Sequence, residues 1–586
     1  MKFPYAISNF YKLIENNYFY ADRTDAITHL EQAADQILFL RPRRFGKSLL
    51  LSMLENYYDV LHKDDFQKLF GHLHIGKNPT PSHNQYLILH WDFSVVDPNG
   101  SSQEIHDALH RYINACIRVM KNRYADLLPD FPLDDDAVIS FYNLVAASQQ
   151  TPHKLYLFID EYDNFANEVM TQGKKRYTEL VYGEGLLKTL FKSIKTAATG
   201  QGLDRVFITG VSPVVMSDMT SGYNVSENIS LLAEYQDLCG FRETEIQSLL
   251  EKIGQEWDFS VEKVQETLMM MRTFYNGYRF GNENQQKIYN PTLALYFLKY
   301  LSHYGKYPPT ILDDNLAMDR NRIQYIARLP HGQEVITNAL NPDNPIIITE
   351  LANRFGVEDM LHIPRDHSFL ASLLYYFGVL TLGEEKTALG KSTLQIPNLV
   401  IRRLYVERLK DALLPEYKER EQMEQAAEVF YGTANLDPLC DFIEQRYFKV
   451  FDNRDYRWSN ELVVKTAFLV TLFADTFYIM DSETAIDKGY ADLSLIVRPD
   501  MRQYALLDHL LEFKYISLKD LGLSGEQVRE QSREELLALP LVKKQLADAG
   551  EQLGRYRETL ERVYGEKLRL HTRAVVALGL ERLVWA

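Results

Sequence analysis

The chain has 586 residues, of which 46% are hydrophobic and 25% charged, so it can bury the cores of roughly three to four domains and is not disordered. Its 80 acidic and 64 basic side chains give a formal charge of −16, which excludes a surface that is basic throughout but allows local basic grooves. Three widely spaced cysteines, an N-terminus without an apolar signal core and the lack of a long uninterrupted apolar run predict a cytoplasmic protein that does not enter a membrane.

The first pattern along the chain is an aromatic segment, NYFYADRT, at residues 17–24. We predict a short aromatic strand followed by a helix that starts between Asp22 and Thr24, because Asp and Thr are residues that cap a first helical turn. Tyr18 and Tyr20 have two interpretations. They either pack near the base of a bound nucleotide or fill the core, and the sequence favours the core.

A strand, a loop and a helix are predicted over residues 37–54. The apolar run at 37–40 precedes the loop RPRRFGKS, and apolar residues at helical spacing follow it. This is the layout of a nucleoside-triphosphate P-loop, in which backbone N–H groups and the helix N-terminus bind phosphate oxygens. Arg41 stands where the full motif has its first glycine, so a chance Gly-Lys-Ser in a basic loop is the alternative interpretation.

Four residues of this loop are predicted ligands of ATP or of its Mg²⁺ ion. The lysine would contact the β- and γ-phosphates, and the serine hydroxyl would bind Mg²⁺. The preceding arginine and glycine belong to the phosphate loop itself. The four are Arg44, Gly46, Lys47 and Ser48.

A second strand pattern ends in two carboxylates. Residues 155–159 are apolar and are followed by Asp160 and Glu161. This predicts a buried parallel strand whose C-terminal end carries acidic groups, which is where open α/β sheets bind their ligands. Asp160 is predicted to hold Mg²⁺ and Glu161 to polarise the attacking water. A strand that merely ends in an acidic turn is the alternative, but the two motifs together favour ATP binding.

A third strand, predicted at residues 205–213, also ends in polar residues. Either Thr209 or Ser212 could be the polar group between Mg²⁺ and the γ-phosphate, and an ordinary turn is the alternative. We select Thr209. Strands that alternate with helices predict an α/β domain with a parallel sheet.

The pattern becomes helical after residue 240. We predict an ATPase domain at 1–240, a helical lid at 241–335 and a mostly helical connector at 336–450. Arg279 of the lid either reaches the γ-phosphate or is an ordinary surface arginine, and the second interpretation is favoured.

Residues 451–586 contain a second set of polar residues. We predict a helix from residue 461 to 480 and two strands at 489–497 and 504–516. Glu512 and Lys514 share one face of their strand because side chains alternate along a strand. With an aspartate on the preceding strand they form a D…ExK arrangement that can bind one or two Mg²⁺ or Mn²⁺ ions, while the lysine orients water or stabilises charge. The polar edge of an ordinary hairpin is the alternative.

Three further residues support this second site. Glu461 on the preceding helix could add a metal ligand, and Gln552 and Tyr556 share one helix face that could steady the site or a DNA strand. The complete set of predicted nuclease-site residues is Glu461, Asp492, Glu512, Lys514, Gln552 and Tyr556.

Seven segments resemble those of one protein family: FPY at 3–5, YFYADRT at 18–24, FLRPRRFGKS at 39–48, FIDEYD at 158–163, TGV at 209–211, SGYN at 221–224 and YNGYRF at 275–280. The chain is similar to the bacterial and archaeal AAA-ATPase-like proteins, in which a C-terminal nuclease-like domain of the PD-(D/E)XK superfamily is usual. The absence of the first P-loop glycine is normal for that family.

The resemblance is strong over residues 1–300 and weaker over 451–586. In the second part, Asp492, Glu512 and Lys514 match the nuclease motif, and Gln552 and Tyr556 resemble the QxxxY helix of its exonuclease-type branch. The resemblance implies an ATPase coupled to a nuclease, in defence or mobile-element biology.

We therefore expect an α/β protein with a P-loop ATPase domain, a helical lid, a helical connector and a restriction-endonuclease-like domain. ATP would control metal-dependent cleavage of nucleic acid, with DNA favoured over RNA. The alternative is an ATP-driven switch or assembly protein whose nuclease-like domain binds nucleic acid or a protein partner without cleaving, which the acidic net charge favours. An arginine finger acting in trans would require a homo-oligomer, and its candidates are Arg43, Arg44 and Arg279.

Overall fold

The computed structural model describes residues 1–97, 99–164, 186–200, 202–213, 225–281, 286–311, 323, 327, 331–340, 345–352, 367–384, 386–451, 461–481 and 491–586. The SGYN motif at 221–224 lies outside these residues. Within them the chain forms three sheets surrounded by helices, which makes it an α/β protein. None of the described helices is both long and apolar enough to cross a lipid bilayer.

The first sheet contains five parallel strands in the order β2-β3-β4-β1-β5. Its central strands are buried along nearly their whole length, so they carry continuous apolar runs, as strands covered by helices on both faces do. Because the strands are parallel, their C-terminal ends lie along one edge of the sheet. The strands are β1 (Gln36–Leu40), β2 (Tyr86–Asp92), β3 (Lys154–Asp160), β4 (Leu203–Gly210) and β5 (Glu227–Asn228).

The helices of this first unit follow the predicted alternation with strands. The longest of them begins with a capping box, in which Ser101 and Glu104 each bond to the other's backbone N–H. The helices are α1 (Phe10–Glu15), α2 (Ile27–Gln32), α3 (Lys47–Tyr58), α4 (Phe66–Phe70), α5 (His74–Lys77), α6 (Ser102–Arg123), α7 (Ala137–Ser148) and α8 (Leu186–Thr199).

The predicted aromatic strand at residues 17–24 is wrong, because the chain has no regular structure there until a 3₁₀ turn at Thr24–Ala26. Side-chain contacts, and not the backbone pairing of a sheet, fix the position of this segment. Asp22 accepts hydrogen bonds from the backbone N–H groups of Thr24 (2.9 Å) and His74 (2.7 Å). Arg23 is buried and pairs with Glu245. The helix start predicted between Asp22 and Thr24 is early by three to five residues, since α2 begins at Ile27 directly after the turn.

Among the described residues, three helices follow the first unit before residue 305, where the lid was predicted. The last begins at a proline and is capped by Asn290, whose side chain accepts from two backbone N–H groups. The helices are α9 (Glu243–Glu256), α10 (Val261–Tyr275) and α11 (Pro291–Tyr304).

The region predicted to be a mostly helical connector also contains a small antiparallel sheet in the order β6-β8-β7. Its strands have two to four residues, too few for a recognisable alternation of polar and apolar side chains. The elements are α12 (Gly332–Ala339), β6 (Ile346–Ile348), α13 (His367–Tyr376), β7 (Thr381–Leu382), β8 (Ser392–Gln395), α14 (Leu399–Leu413), α15 (Tyr417–Thr433), α16 (Asp437–Phe442), a π-helical turn (Ile443–Tyr447) and α17 (Phe448–Phe451).

The C-terminal sheet has the order β13-β12-β11-β10-β9, with β11 and β12 parallel and the other pairs antiparallel. Helices α18 and α22 pack against β11. The elements are α18 (Glu461–Leu472), β9 (Tyr478–Asp481), β10 (Leu493–Val497), β11 (Asp508–Ile516), α19 (Leu518–Leu521), α20 (Gly525–Glu530), α21 (Arg533–Ala538), α22 (Pro540–Tyr564), β12 (Leu570–Leu578) and β13 (Arg582–Trp585).

Two predicted boundaries in this unit are wrong. The helix that starts at Glu461 ends at Leu472 and not at 480, because the buried Arg498 donates to the carbonyl oxygens of Asp475 (3.2 Å) and Thr476 (3.0 Å) and holds the chain in a turn before β9. The strand predicted to begin at 504 begins at Asp508, after a 3₁₀ turn at Pro499–Met501.

Candidate functional site

The P-loop connects β1 to α3 as the sequence predicted. Gly46 has a left-handed backbone (φ 95°), which a residue without a Cβ adopts readily, and α3 begins at the next residue. The Lys47 ammonium lies across the loop and donates to the carbonyl oxygens of Arg41 (3.0 Å) and Pro42 (3.3 Å). Burial lowers the pKa of Lys47. The lysine is therefore held where the chain turns from strand to helix.

Three polar side chains from separate elements meet beside this lysine. The Ser48 hydroxyl donates to Asp160 Oδ2 (2.6 Å), and the Thr209 hydroxyl donates to Asp160 Oδ1. Ser212 instead bonds to Asp163, through both its backbone N–H and its hydroxyl (2.8 Å each). Of the two alternatives for the third strand, Thr209 is therefore the residue that contacts the acidic end of β3.

Glu161 follows Asp160 and has a left-handed backbone (φ 48°), which is uncommon for a residue other than glycine. Burial raises the pKa of its carboxyl group, while the positive charges of Lys47 and Arg43 oppose that change. Arg43 donates a hydrogen bond to the side-chain oxygen of Asn164. The carboxylate thus lies between the phosphate loop and the end of β3, in a position to face a bound phosphate chain.

A cavity of about 310 Å³ opens beside these groups, at the small end of the size range of ligand sites. Its lining includes residues 44–50, Glu161 and the segments 19–21 and 238–241. Tyr20 lines the cavity and also packs edge-on against a core phenylalanine, so it has features of both interpretations given to it above. The four predicted ligands of the phosphate loop all line the cavity.

Arg41 has a structural role that the sequence did not indicate. Its buried guanidinium donates to the carbonyl oxygens of Ser230 (2.7 Å) and Tyr235 (2.9 Å) and lies over the rings of Phe39 and Phe280. Burial lowers the pKa of Arg41 to about 10. The residue that replaces the first P-loop glycine therefore connects β1 to the chain after β5 and to Phe280, which follows α10.

Replacing Arg41 by glycine, which restores the full P-loop motif, is expected to lower the free energy of unfolding by roughly 3 kcal/mol, because four carbonyl oxygens lose a buried donor. Denaturant unfolding followed by circular dichroism measures the change. Arg44→Gly is the matched control, since the backbone there is already left-handed (φ 68°) and the loss should stay below about 1 kcal/mol. Equal losses in both variants would contradict the assigned role.

Arg279 takes neither of its predicted roles. Its guanidinium pairs with Glu384 Oε1 (3.1 Å), and its backbone N–H donates to the hydroxyl of Thr381 (2.7 Å). It is not among the described residues that line the cavity. Arg279 therefore connects the segment after α10 to the small sheet that contains β7.

The residues of the second predicted site lie on α18, just before β10 and on β11. Asp492 immediately precedes β10, and its Oδ2 accepts from the backbone N–H of Phe513 (2.6 Å). Its Oδ1 contacts the ammonium of Lys465 (2.6 Å), which also contacts Glu461 Oε1 (2.9 Å). Burial raises the pKa of Asp492, and Lys465 opposes that change.

Glu512 lies on β11 with one carboxylate oxygen on Lys514 Nζ (2.8 Å). Burial, strengthened by the charge of Asp492, raises the pKa of Glu512 to about 7. Its other oxygen is buried and has no hydrogen-bond donor among the described residues, and the same holds for the side-chain oxygen of Gln552. Tyr556 is close enough for the two carboxylates to raise the pKa of its hydroxyl, although burial contributes more.

Two family models match the chain. Residues 4–220 match the model described as Predicted AAA-ATPase, and residues 459–582 match that of the PD-(D/E)XK nuclease superfamily. The chain therefore has an AAA-ATPase-like domain at its N-terminus and a PD-(D/E)XK nuclease-superfamily domain at its C-terminus. The two matches contain all the residues predicted above to bind ATP or a nuclease metal.

The AAA-ATPase-like protein also has similar chains among known proteins. An uncharacterized protein in the vnfD 5′ region of Azotobacter chroococcum mcd 1 is 24% identical over 561 residues, covering 90% of this chain and 92% of that protein. The Walker-type ATPase paby2304 of Pyrococcus abyssi matches with a TM-score of 0.39 and 13% identity, over 65% of this chain and 94% of its own. The Aeropyrum pernix ORC1 protein, solved in complex with DNA, matches with a TM-score of 0.25 and 10% identity, over 70% and 95% respectively.

Both centres of the AAA-ATPase-like protein offer oxygen donors that suit a hard divalent cation. Beside the P-loop these are the Ser48 hydroxyl and the Asp160 carboxylate. In the nuclease-superfamily domain they are Asp492 and Glu512, with Glu461 on the neighbouring helix. One buried oxygen of Glu512 has no donor within the part of the chain that the structure describes, which fits a group that binds a cation, because a buried acceptor ordinarily has a partner.

Sequence analysis of the AAA-ATPase-like chain missed Lys465. It lies one helical turn after Glu461 and contacts both that residue and Asp492, so its ammonium occupies the space between two acidic groups. The signal was a Glu-x₃-Lys spacing on a helix, which usually indicates only a surface ion pair. The pairing with a strand residue about 27 positions further on appears only in the folded chain.

Binding of Mg²⁺ or Mn²⁺ to the nuclease-superfamily domain is expected to weaken as the pH falls through about 7. Below that pH Glu512 holds a proton that a metal must displace, so the affinity should drop by up to about tenfold per pH unit. Titration calorimetry of the nucleotide-free AAA-ATPase-like protein between pH 6 and 8 measures the dependence. An affinity that is flat over this range would contradict the raised pKa.

Proposed function

We propose that this AAA-ATPase-like protein hydrolyses ATP in its N-terminal domain and cleaves DNA phosphodiester bonds in its C-terminal domain, with the bound nucleotide controlling cleavage. The observation that carries the proposal is a pair of buried acceptor oxygens, on Glu512 and Gln552, that have no hydrogen-bond donor among the described residues. Glu512 also contacts Lys514 and lies close enough to Asp492 for that charge to raise its pKa. A domain that only bound a partner would have no need to keep such groups buried.

In the proposed ATPase centre each residue acts on one part of ATP. Lys47 and the backbone of the phosphate loop would neutralise the β- and γ-phosphates. Ser48 and Asp160 would hold Mg²⁺, and Thr209 orients Asp160 through its hydrogen bond. Glu161 would accept a proton from the attacking water, which its raised pKa favours.

In the proposed nuclease centre Asp492 and Glu512 would hold Mg²⁺ or Mn²⁺, with Glu461 as an additional ligand once Lys465 moves aside. A bound divalent ion supplies charge neutralisation at the phosphate and lowers the pKa of water. Lys514, held by Glu512, would stabilise the negative charge that develops on the phosphate. Gln552 and Tyr556 on α22 would support the site or the DNA strand.

The two centres are connected by packed helices, which supports the proposed control. Phe45 of the P-loop packs edge-on against the rings of Tyr278 and Phe280, just after α10. The middle of α10 contacts the C-terminal domain, where the Tyr564 hydroxyl lies 3.7 Å from the sulfur of Met269. Helix α10 also packs against α14, and α14 packs against α18, which carries Glu461.

We also propose the division into an ATPase domain (1–240), a lid (241–335), a connector (336–450) and a nuclease domain (451–586). The ion pair of Arg279 with Glu384 and the hydrogen bond from the Asn398 side chain to the Asn276 carbonyl oxygen (3.0 Å) join the lid to the connector. Movement of the lid on nucleotide binding would thus be passed to the connector.

The test is cleavage of labelled single- and double-stranded DNA by the full chain with Mg²⁺ or Mn²⁺, with and without ATP. The active-site variant is Asp492→Asn, and the matched control is Glu558→Gln, which removes an exposed carboxylate from α22. We expect ATP-dependent cleavage that is lost in the first variant and kept in the second.

Other outcomes would overturn part of the proposal. ATP hydrolysis with salt-sensitive DNA binding but no cleavage would indicate a switch whose nuclease-like domain only binds. Cleavage that persists in Asp492→Asn would place the chemistry elsewhere. Cleavage of RNA in preference to DNA would change the substrate class but not the site.

A further inference from the structure

A cluster of metal-binding side chains lies in the connector, apart from both proposed centres. His331 immediately precedes α12, and Glu334 lies in the first turn of this helix. A spacing of three residues puts two side chains on one helix face. His367 is the first residue of α13. None of the three lines the nucleotide cavity, and none contacts the carboxylates of the nuclease-superfamily domain among the described residues.

The distances from Glu334 to the two histidines suit the ligands of a tetrahedral ion. Glu334 Oε2 lies 3.5 Å from His331 Nδ1 and 3.3 Å from His367 Nε2. One atom from each of the three side chains lies within 4.8 Å of the others. Two ligands at the usual bond length of about 2.1 Å from a tetrahedral Zn²⁺ ion are about 3.4 Å apart. Both nitrogen-to-oxygen distances agree with that value.

We propose that His331, Glu334 and His367 bind a Zn²⁺ ion. Two imidazole nitrogens and one carboxylate oxygen form a donor set that zinc accepts, whereas Mg²⁺ prefers oxygen ligands alone. Three protein ligands leave a fourth position for water. The side chains are between 38% and 59% exposed, so the ion can enter from solvent.

The ion would join two helices of the connector. Helix α12 packs against α13 and against α14, and every residue of α13 from Phe369 to Tyr376 is buried. A bond between the first turns of α12 and α13 would therefore fix the position of a buried helix next to α14, which lies on the route between the two centres. The metal is expected to stabilise the connector and to leave the chemistry of the two centres unchanged.

The test uses the full chain carrying Asp492→Asn and Glu512→Gln, so that the proposed nuclease centre binds no divalent ion. The protein is stripped with a chelator, dialysed without nucleotide and titrated with Zn²⁺ in a calorimeter, and with Co²⁺ while its visible absorption is recorded. We expect one ion per chain and the intense visible bands of tetrahedral Co²⁺ with nitrogen ligands.

Glu334→Gln and His367→Gln, each added to that background, are expected to weaken Zn²⁺ binding at least tenfold and to remove the Co²⁺ bands. His106→Gln, which removes an exposed histidine from α6, is the matched control and should bind as the parent does. Far-ultraviolet circular dichroism of the metal-free proteins shows whether each variant folds.

Two results would overturn the proposal. One is a parent protein that binds no stoichiometric Zn²⁺, in which case the cluster is only an ion-paired group of two histidines and a glutamate. The other is binding that both cluster variants retain, which would place the ion elsewhere. Zn²⁺ binding by the parent protein is measured directly. The first result therefore decides the question even where a variant fails to fold.

Discussion

Replacement of Lys47 by alanine is expected to reduce ATP hydrolysis by about 10²- to 10³-fold or more, and to abolish any dependence of DNA cleavage on nucleotide. The ammonium has two functions that alanine cannot replace. It would neutralise phosphate charge, and it holds the carbonyl oxygens of Arg41 and Pro42 at the turn from β1 to α3. The measurements are steady-state phosphate release and a cleavage assay at several ATP concentrations.

Glu161→Gln is the matched comparison for this variant. It keeps Lys47 and the loop, so it should still bind ATP, but the amide cannot accept a proton from water and hydrolysis should fall to a similar extent. If cleavage in Glu161→Gln matches the wild type with ATP bound, nucleotide binding alone controls the nuclease. If Lys47→Ala leaves cleavage and its response to ATP unchanged, the two domains act independently and the proposed coupling is wrong.

The motifs that the sequence revealed are those in which a few consecutive residues determine the local structure. The P-loop and the end of β3 each need only an apolar strand and the polar residues that follow it, so their elements could be placed from the pattern alone. The sequence also predicted that the P-loop and the end of β3 lie close together, because parallel strands bring their C-terminal ends to one edge of the sheet. The sequence could not decide between Thr209 and Ser212. That choice depends on the folded chain, in which Thr209 bonds to Asp160 and Ser212 bonds to Asp163.

The features that the sequence did not reveal depend on partners far along the chain. Arg41 is buried only because Ser230, Tyr235 and Phe280 surround it, and nothing next to it in the chain indicates this. Helix α18 ends early because of Arg498, which lies after β10 and donates hydrogen bonds to residues 475 and 476. Local patterns cannot predict contacts of this range, and tertiary structure overrides them.

Replacement of Glu512 by glutamine is expected to reduce DNA cleavage by about 10³-fold or more while ATP hydrolysis continues, because the amide keeps the shape of the side chain but is a poor ligand for a divalent cation. Cleavage and phosphate release are measured on the same preparation. Glu558→Gln serves as the control for removal of a carboxylate. Cleavage that survives in Glu512→Gln would exclude this residue from the site.

The same variant should change how stability depends on pH. The carboxyl of Glu512 has a pKa of about 7 in the folded chain, above its value of about 4.5 when unfolded, so the folded state binds the proton more tightly. The stability that this provides is complete below about pH 4.5 and is lost as the pH rises through 7. In the metal-free wild type the unfolding midpoint should therefore fall between pH 5 and pH 8 by more than it does in Glu512→Gln.

Mg²⁺ distinguishes this effect from a general loss of stability at high pH. At pH 8 the ion should raise the unfolding midpoint of the wild type, because it binds the ionised carboxylates of the folded chain, and should raise that of Glu512→Gln much less. At pH 5.5 the proton competes with the ion, and the wild-type response should shrink toward that of the variant. Nucleotide is omitted throughout, so that the P-loop contributes no metal site. A wild-type response to Mg²⁺ that is the same at both pH values would mean that the buried carboxylates of the nuclease-superfamily domain are not the groups that bind the ion.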